Sequence, residues 1–365
     1  MEGVKTVYLY RGLDSLGALK DAIHASNPTL IVPCDDGVVW QLHELHDRNP
    51  ELRPIIEHSL GPAGTYPTIR NRNALLDSAR EIGIRVPATQ TLSSEDDLKR
   101  WPLDAPAVLK LDGTWGGSGV VIVRSPDEAV SAFRRLSKPM GTGVVWKRWL
   151  VNRDALALWS WRRLDRPSVS IQEYIPGRPA NAMIASWKGE VLGIVTVEVL
   201  TAQGATGAAT VVRVIRNEEI EQAASLLARK FEFTGFHGLD FMLEEKTGAP
   251  YLIELNPRCT QLGHLRLSSQ GDLAGKISAA LIGKSETDIA SEPVDCAPGS
   301  TIAFFPQAFA WNPKSLYLRS GYHDVPWEES ALVRELLRTS WPERQLLNRI
   351  YHHFRVPKRP EEMEF

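Results

Sequence analysis

An α/β fold built from more than one unit is predicted by three features of this sequence. The chain has 365 residues, 43% of them hydrophobic, enough to bury a substantial core and to divide into two or three structural units. Up to about residue 88, strand-like and helical stretches alternate. Beyond that point the texture changes to apolar strands broken by glycine-rich turns. These shifts set boundaries at 1–88 for a short open α/β unit, 89–290 for a strand-rich unit, and 291–365 for a small C-terminal extension.

Charge and cysteine content narrow the function classes. Lys plus Arg number 42 against 44 Asp plus Glu, a formal net charge of −2, and no long run of one sign would hold a phosphate backbone or an anionic membrane. Nucleic acid and membrane are therefore not expected partners. Cys34, Cys259 and Cys296 are widely spaced and form no C-x-x-C pair, which argues against a disulfide framework or a structural zinc site. With no secretory signal pattern and no apolar run of the roughly 20 residues that span a bilayer, a cytoplasmic setting is expected.

In the first unit, Thr6 to Tyr10 and Thr29 to Val32 read as strands, and Leu16 to Ala25 and Asn71 to Ile82 as helices. The second apolar stretch runs into Pro33-Cys34-Asp35-Asp36. Polar residues at the carboxyl end of a strand can face a ligand crevice. A loop followed by a helix N-cap is the competing reading for the two aspartates. In the second unit, strands are expected at Ala107 to Leu111, Val120 to Val123, Ser168 to Tyr174, Ala182 to Trp187 and Val191 to Val199. A helix is expected at Glu218 to Lys230, and a hairpin from Asp240–Leu243 to Tyr251–Leu255 through Lys246-Thr247-Gly248. Residues 146–166, rich in Trp and Arg, read as an amphipathic helical insertion, and 329–354 as a charged helical segment.

Three constellations carry chemistry. Lys110 leads from an apolar strand into Asp112-Gly113-Thr114-Trp115-Gly116-Gly117-Ser118-Gly119, and a second strand follows. Glycines let backbone N–H groups close on a polyphosphate, and the lysine supplies charge. The loop lacks a Gly-Lys-Ser/Thr ending and enters a strand, unlike a P-loop or a Rossmann turn; a plain glycine hairpin is the alternative. The second constellation, Ile171-Gln172-Glu173-Tyr174-Ile175-Pro176-Gly177, is an extended segment whose backbone can meet an adenine edge, or is simply a strand end. The third joins Asp240 to Glu254, Asn256 and Arg258. Alternation puts Glu254 and Asn256 on one face, and an antiparallel neighbour can bring Asp240 beside them. Two carboxylates and an amide are hard oxygen donors suited to Mg²⁺. Arg258 can donate a fork of hydrogen bonds to a phosphoryl group.

Taken in series, Lys-Asp-Gly-x-x-Gly-Gly-Ser-Gly (with one residue between the lysine and the aspartate), Gln-Glu-Tyr-Ile-Pro-Gly and Leu-Ile-Glu-Leu-Asn-Pro-Arg resemble the ATP-grasp superfamily over about residues 88 to 285. The resemblance implies two α+β ATP-grasp subdomains clamping ATP behind a shortened N-terminal domain. Lys110, Gly113, Gly116, Gly117, Ser118 and Gly119 would grip the triphosphate. Gln172, Glu173, Tyr174 and Ile175 would line the adenine, with Glu173 and Ile175 using backbone groups. Asp240, Glu254 and Asn256 would hold two Mg²⁺ ions, Mn²⁺ being an alternative. Arg258, Lys110 and, less directly, Arg213 would stabilise the transferring phosphoryl group. An acidic residue that often follows the hinge is replaced here by Arg178-Pro179-Ala180-Asn181, leaving Asn181 for the ribose.

As in the D-alanine:D-alanine ligases and carbamoyl phosphate synthetases, the implied activity activates a carboxylate as an acyl phosphate and passes it to an amine or thiol, giving ADP and phosphate. Small-molecule carboxylate and amine substrates and a homodimer are the implied partners. A bicarbonate-using carboxylase or carbamoyl phosphate-forming enzyme, and a catalytically silent ATP-binding scaffold, are the alternatives. His237 and His264 are candidate bases near the site, against a scaffolding role.

Overall fold

The computed structural model describes residues 5–112, 119–138, 141–150, 161, 168–267, 271–283, 296–338 and 362–365. Its first unit is helical: α1 (Ser15–Ser26), α2 (Asp36–Arg48), α3 (Arg53–Leu60), α4 (Tyr66–Arg70) and α5 (Arg72–Glu81). The two expected strands there are corrected to extended segments that join no sheet among the described residues. Apolar composition favours an extended chain, but a strand needs a paired neighbour. Here Ile31 N–H donates to Ser59 Oγ at 2.9 Å instead, and Val7 and Leu9 stand exposed.

Helices α1 to α4 bury Ile23, Leu42, Leu45, Ile56 and Tyr66 in a core of their own. Helix α5 does not share it. Asn71 caps it by accepting from Ala74 N–H at 3.0 Å, and Leu75, Leu76 and Ala79 lie on the face that packs into the large sheet described below. The first residue of α5 therefore sits at the sheet's edge, where the site forms.

A four-stranded antiparallel sheet follows, comprising β1 (Thr89–Leu92), β2 (Ala107–Leu111), β3 (Val120–Val123) and β4 (Val169–Glu173) in the order β1-β4-β2-β3. Helices α6 (Glu95–Leu98) and α7 (Pro126–Leu136) accompany it, and Leu98, Ala129, Ala132, Phe133 and Leu136 pack against Leu109, Val123 and Ile171. α8 (Thr142–Leu150) fits the start of the expected Trp/Arg insertion, with Trp146 and Trp149 edge to face at 5.3 Å. Of the rest of 146–166, all but Trp161 lies outside the described residues, as do Gly113, Gly116, Gly117 and Ser118 of the glycine loop.

The large sheet has eight strands. β5 (Gly177–Trp187), β6 (Glu190–Ala202), β7 (Ala209–Val214), β8 (Gly235–Glu244) and β9 (Pro250–Asn256) form its body. A hairpin of β10 (Arg266–Leu267) and β11 (Gly271–Asp272) follows outside the sheet, and β12 (Thr301–Ala303), β13 (Tyr322–His323) and β14 (Met363–Glu364) complete the large sheet. Its order is β13-β12-β7-β6-β5-β8-β9, with β14 against β6. β12 pairs antiparallel with β7, so the sheet continues past residue 291. Beyond the helix Ser330–Leu336, the expected charged segment lies mostly outside the described residues.

The two faces of this sheet differ. One carries Ala180, Ala182, Ile184 and Leu239 against α5 and α9 (Glu218–Phe231); the other carries Met183, Val195, Val197 and Phe236 against α10 (Leu273–Ile282). Alternation along each strand assigns every side chain to one or the other.

Candidate functional site

A cavity of about 550 Å³ opens between the two sheets, lined by β2, β3, the segment Gln172–Ile175, the end of β9 and parts of the N-terminal unit. On its floor, Asp240 on β8 faces Glu254 on β9 across the ladder. Asn181 on β5 donates to Asp240 Oδ1 at 2.6 Å, and Asn256 donates to Asp240 Oδ2 at 3.0 Å. Gly238 lies opposite Asn256, and a Cβ there would come within 2.5 Å of Thr260 Cγ2 and 3.3 Å of Asn256 Cβ. A side chain at 238 would displace the amide from the carboxylates.

Positive charge converges on this floor. Lys110, on β2, is buried and reaches the Ile253 carbonyl at 3.4 Å. Burial and the nearby Arg72 push its amine down to about 8, while Glu254, Asp240 and Asp112 pull the other way. Arg72 donates to Asp112 Oδ1 at 2.6 Å and to Glu254 Oε1 at 2.8 Å. Burial pushes the Glu254 carboxyl up, but Arg72 and Lys110 outweigh it and hold the group below its ordinary value. Asp240 has no such pairing. Burial and the neighbouring Glu254 charge raise it to about 6.

Arg258 closes the polar end. Its Nε donates to Asp36 Oδ2 at 2.8 Å, and one terminal nitrogen lies 3.5 Å from Asn256 Oδ1. Asp36 thus belongs to the cavity, whereas Asp35 accepts from Gly37 N–H as the N-cap of α2. The neighbouring Cys259 N–H donates to Pro33 O at 2.9 Å. A hydrogen bond with Cys259 pulls the Cys34 thiol down to about 6, with burial opposing and Arg258 assisting.

The expected residues thus divide. Lys110, Gln172, Glu173, Tyr174, Ile175, Asn181, Asp240, Glu254, Asn256 and Arg258 all line one cavity. Gly119 lies at the described edge of the glycine loop, where its carbonyl accepts from Leu111 N–H at 2.8 Å. Asn181 meets Asp240 on the floor, so its amide is engaged there and not as a ribose contact. Arg213 is corrected out of the site. It pairs with Glu198 Oε1 at 2.6 Å, and the register Arg213↔Glu198↔Ala180 places it on the face opposite Asn181. Arg213→Ala should change turnover by less than about twofold, because the pair lies on the sheet face away from the cavity, but it should cost stability, since Glu198 is only 7% exposed. A steady-state assay of ADP release checks this.

The histidines follow the same rule. His237 stacks on Phe233 at 3.9 Å, opposite in face to Asp240, and burial pushes its imidazole down to about 3. His264 is exposed and lies 3.0 Å from Asp324 Oδ2. An unfolded histidine takes up a proton below about pH 6.5, whereas native His237 resists until about pH 3. Its stability contribution is complete above the unfolded value and falls with pH by about 1.4 kcal/mol per unit. His237→Phe should therefore gain about 2 kcal/mol relative to the original chain between pH 6.5 and 5, read by urea unfolding at both values.

Residues absent from the sequence reading also line the cavity, chiefly Arg72, Arg70, Trp40, Met363 and Phe365. A helix-capping signal at Asn71 marked the position of Arg72, but nothing local marked its partners.

The oxygen donors fit Mg²⁺ on the charge evidence. Asp240 and Glu254 share a partly buried floor with an amide, and Asp240 is destabilised as an anion by burial and by its neighbour; a divalent cation would relieve that repulsion. Among the described residues, no group of three or more His, Cys, Asp or Glu side chains is placed to hold a metal ion; this site offers two carboxylates and an amide.

A family model described as an ATP-grasp domain matches residues 156–261. No curated protein matches the chain by sequence. Among solved structures, the biotin carboxylase domain of Hydrogenobacter thermophilus 2-oxoglutarate carboxylase, bound to MgADP, ADP and bicarbonate, aligns with TM-score 0.54 at 15% identity, covering 78% of this chain and 60% of that one. The ADP complex of N5-carboxyaminoimidazole ribonucleotide synthetase aligns at 0.53 and 16%, covering 79% and 67%. An L-amino acid ligase from Bacillus licheniformis aligns at 0.52 and 15%, covering 80% and 65%. The chain spans about 60 to 67% of the length of these three. Among the described residues, no helix is long and apolar enough to cross a membrane. Residues 156–261 match an ATP-grasp domain model, and the chain shares its fold with these three structures.

Proposed function

We propose that the chain is an ATP-dependent carboxylate–amine ligase acting through an acyl phosphate. One observation carries the reading: Lys110, Arg72 and Arg258 converge with Asp240, Glu254 and Asn256 in a single cavity that also reaches the extended segment Gln172–Ile175. Three fixed cations beside an oxygen-donor set suit a polyphosphate and the charge of phosphoryl transfer. No nucleophilic side chain is needed.

In this reading the nucleoside lies against Gln172–Ile175, and Lys110 and Arg72 meet the phosphates with the glycine loop. Asp240, Glu254 and Asn256 would hold Mg²⁺, which when bound neutralises phosphate charge and aligns the terminal phosphate. Arg258, oriented by Asp36, and Arg70, which also lines the cavity, supply positive charge suited to the acid substrate. The substrate carboxylate attacks the γ-phosphorus, the bond to ADP breaks, and the acyl phosphate is captured by an amine with release of phosphate. Thiol capture is the same chemistry with another nucleophile.

The test is incubation with Mg-ATP and pooled organic and amino acids, with and without hydroxylamine, following ADP and hydroxamate. Hydroxamate that appears with one acid supports the reading and names the substrate. Two of the similar structures, a biotin carboxylase domain bound to bicarbonate and a carboxyaminoimidazole ribonucleotide synthetase, favour a second reading in which bicarbonate is the phosphoryl acceptor. ADP release that depends on bicarbonate alone would select it. ATP binding without ADP release from any pool would select a silent scaffold.

A further inference from the structure

We propose that β14 and Phe365 form a wall of the nucleoside pocket, with Glu362 as the clasp that holds it shut. The proposal rests on reading the cavity as a nucleotide site and extends it to a segment far from the three motifs. β5 and β6 are paired as far as Ala180↔Glu198. Past that pair, β5 turns away through Gly177 into the extended segment, while β6 runs on to Ala202. β7 covers one edge of the β6 overhang through Thr201↔Val211 and Ala202↔Ala209. β14 covers the other, with Met363↔Ala202, Glu364↔Thr201 and Phe365 N–H donating to Leu200 O at 3.0 Å. It therefore fills the place in the sheet that β5 vacates as it leads back to Gln172–Ile175.

Alternation decides what this strand presents. Met363 and Phe365 are two residues apart and both line the cavity, whereas Glu364 between them does not. Ala202, beside Met363 on β6, Val199 and the small residues Ala205 and Ala208 also line the cavity. Apolar side chains beside a backbone edge suit the face of a nucleoside's base and offer no donor to a phosphate. Glu362 fixes the strand from outside the cavity: Thr210 Oγ1 donates to its Oε1 at 3.3 Å, and Asn312 Nδ2 donates to its Oε2 at 2.5 Å. Thr210 is buried and shares a hydrogen bond of 2.6 Å with Thr201 on β6. The clasp thus ties β14, which pairs with β6, to β7 through Thr210 and to Asn312.

Two variants separate wall from clasp. Calorimetric titration of the full chain with Mg-ATP should show about tenfold weaker binding for the Met363→Ala, Phe365→Ala double variant, the loss expected when apolar contact is removed from a bound ligand. Glu362→Ala should weaken binding similarly while altering no cavity-lining side chain. Both should retain the thermal midpoint of the nucleotide-free protein to within a few degrees. Affinities within about twofold of the original chain for both variants would overturn the proposal and leave the nucleotide reading standing. Absence of Mg-ATP binding to the original chain would overturn both. Should either variant fail to fold, photolabelling of the original chain with 8-azido-ATP decides: label on the peptide that contains Met363 and Phe365 is expected, and label confined to other peptides refutes the wall.

Discussion

Glu254→Gln should lower ATP turnover about 10³-fold while the protein remains folded. Glu254 stands opposite Asp240 on the cavity floor and is held as an anion by Arg72 and Lys110. The substitution keeps size and one oxygen but removes the charge that would complete the Mg²⁺ site. Several kcal/mol of transition-state charge stabilisation depend on a correctly held metal, and about 4 kcal/mol corresponds to three decades in rate. Asp240 should become easier to ionise, because the neighbouring charge that raises it is gone. The circular dichroism spectrum should be unchanged, and ADP release should be measured across Mg²⁺ concentrations. Turnover within tenfold of the original chain would remove Glu254 from the metal set.

Arg72→Ala should be more damaging to the fold. This guanidinium is 10% exposed and bridges Asp112 on the small-sheet side to Glu254 on the large sheet. Its removal strands two partly buried carboxylates, and breaking such a pair from one side costs about 3–5 kcal/mol. Solvent access at Asp112 and Glu254, which are 23% and 33% exposed, places the expectation toward the lower end. Denaturant midpoints report the stability, and Mg-ATP binding reports the lost phosphate contact. Arg72→Lys should restore part of the binding but little of the stability, because a single ammonium cannot span both carboxylates as the fork does.

These effects bear on which features can be read from a chain of letters. Strand alternation and a tight turn put Asp240, Glu254 and Asn256 together, and all three follow from a stretch of fewer than twenty residues. Lys110 was legible for a similar reason, since it ends an apolar strand before glycines. The Arg72–Glu254 pair was not, because its partners are 182 residues apart and meet only after α5 packs on the large sheet. Arg213 shows the converse error. The resemblance implied a phosphate contact for it, but the ladder through Glu198 and Ala180 turns it to the other face. In the first unit, Thr6–Tyr10 and Thr29–Val32 have strand-like composition without a neighbour to pair with, and composition alone does not distinguish an extended segment from a strand. The β14 clasp was illegible because its acceptor and donors lie 50 to 152 residues apart.

The continuation of the large sheet through β12 has a consequence for how this protein can be divided. Thr301, Ile302 and Ala303 pair with Arg213, Val212 and Val211, and Ile302 and Phe304 lie in the same core as Met183 and Val197. An expression boundary at residue 290 would strip β7 of its neighbour, bare an apolar edge that invites association with other chains, and open the core beneath the cavity. The stretch from Thr301 to His323 is part of the same mechanical body as the cavity floor, and not a separable appendage.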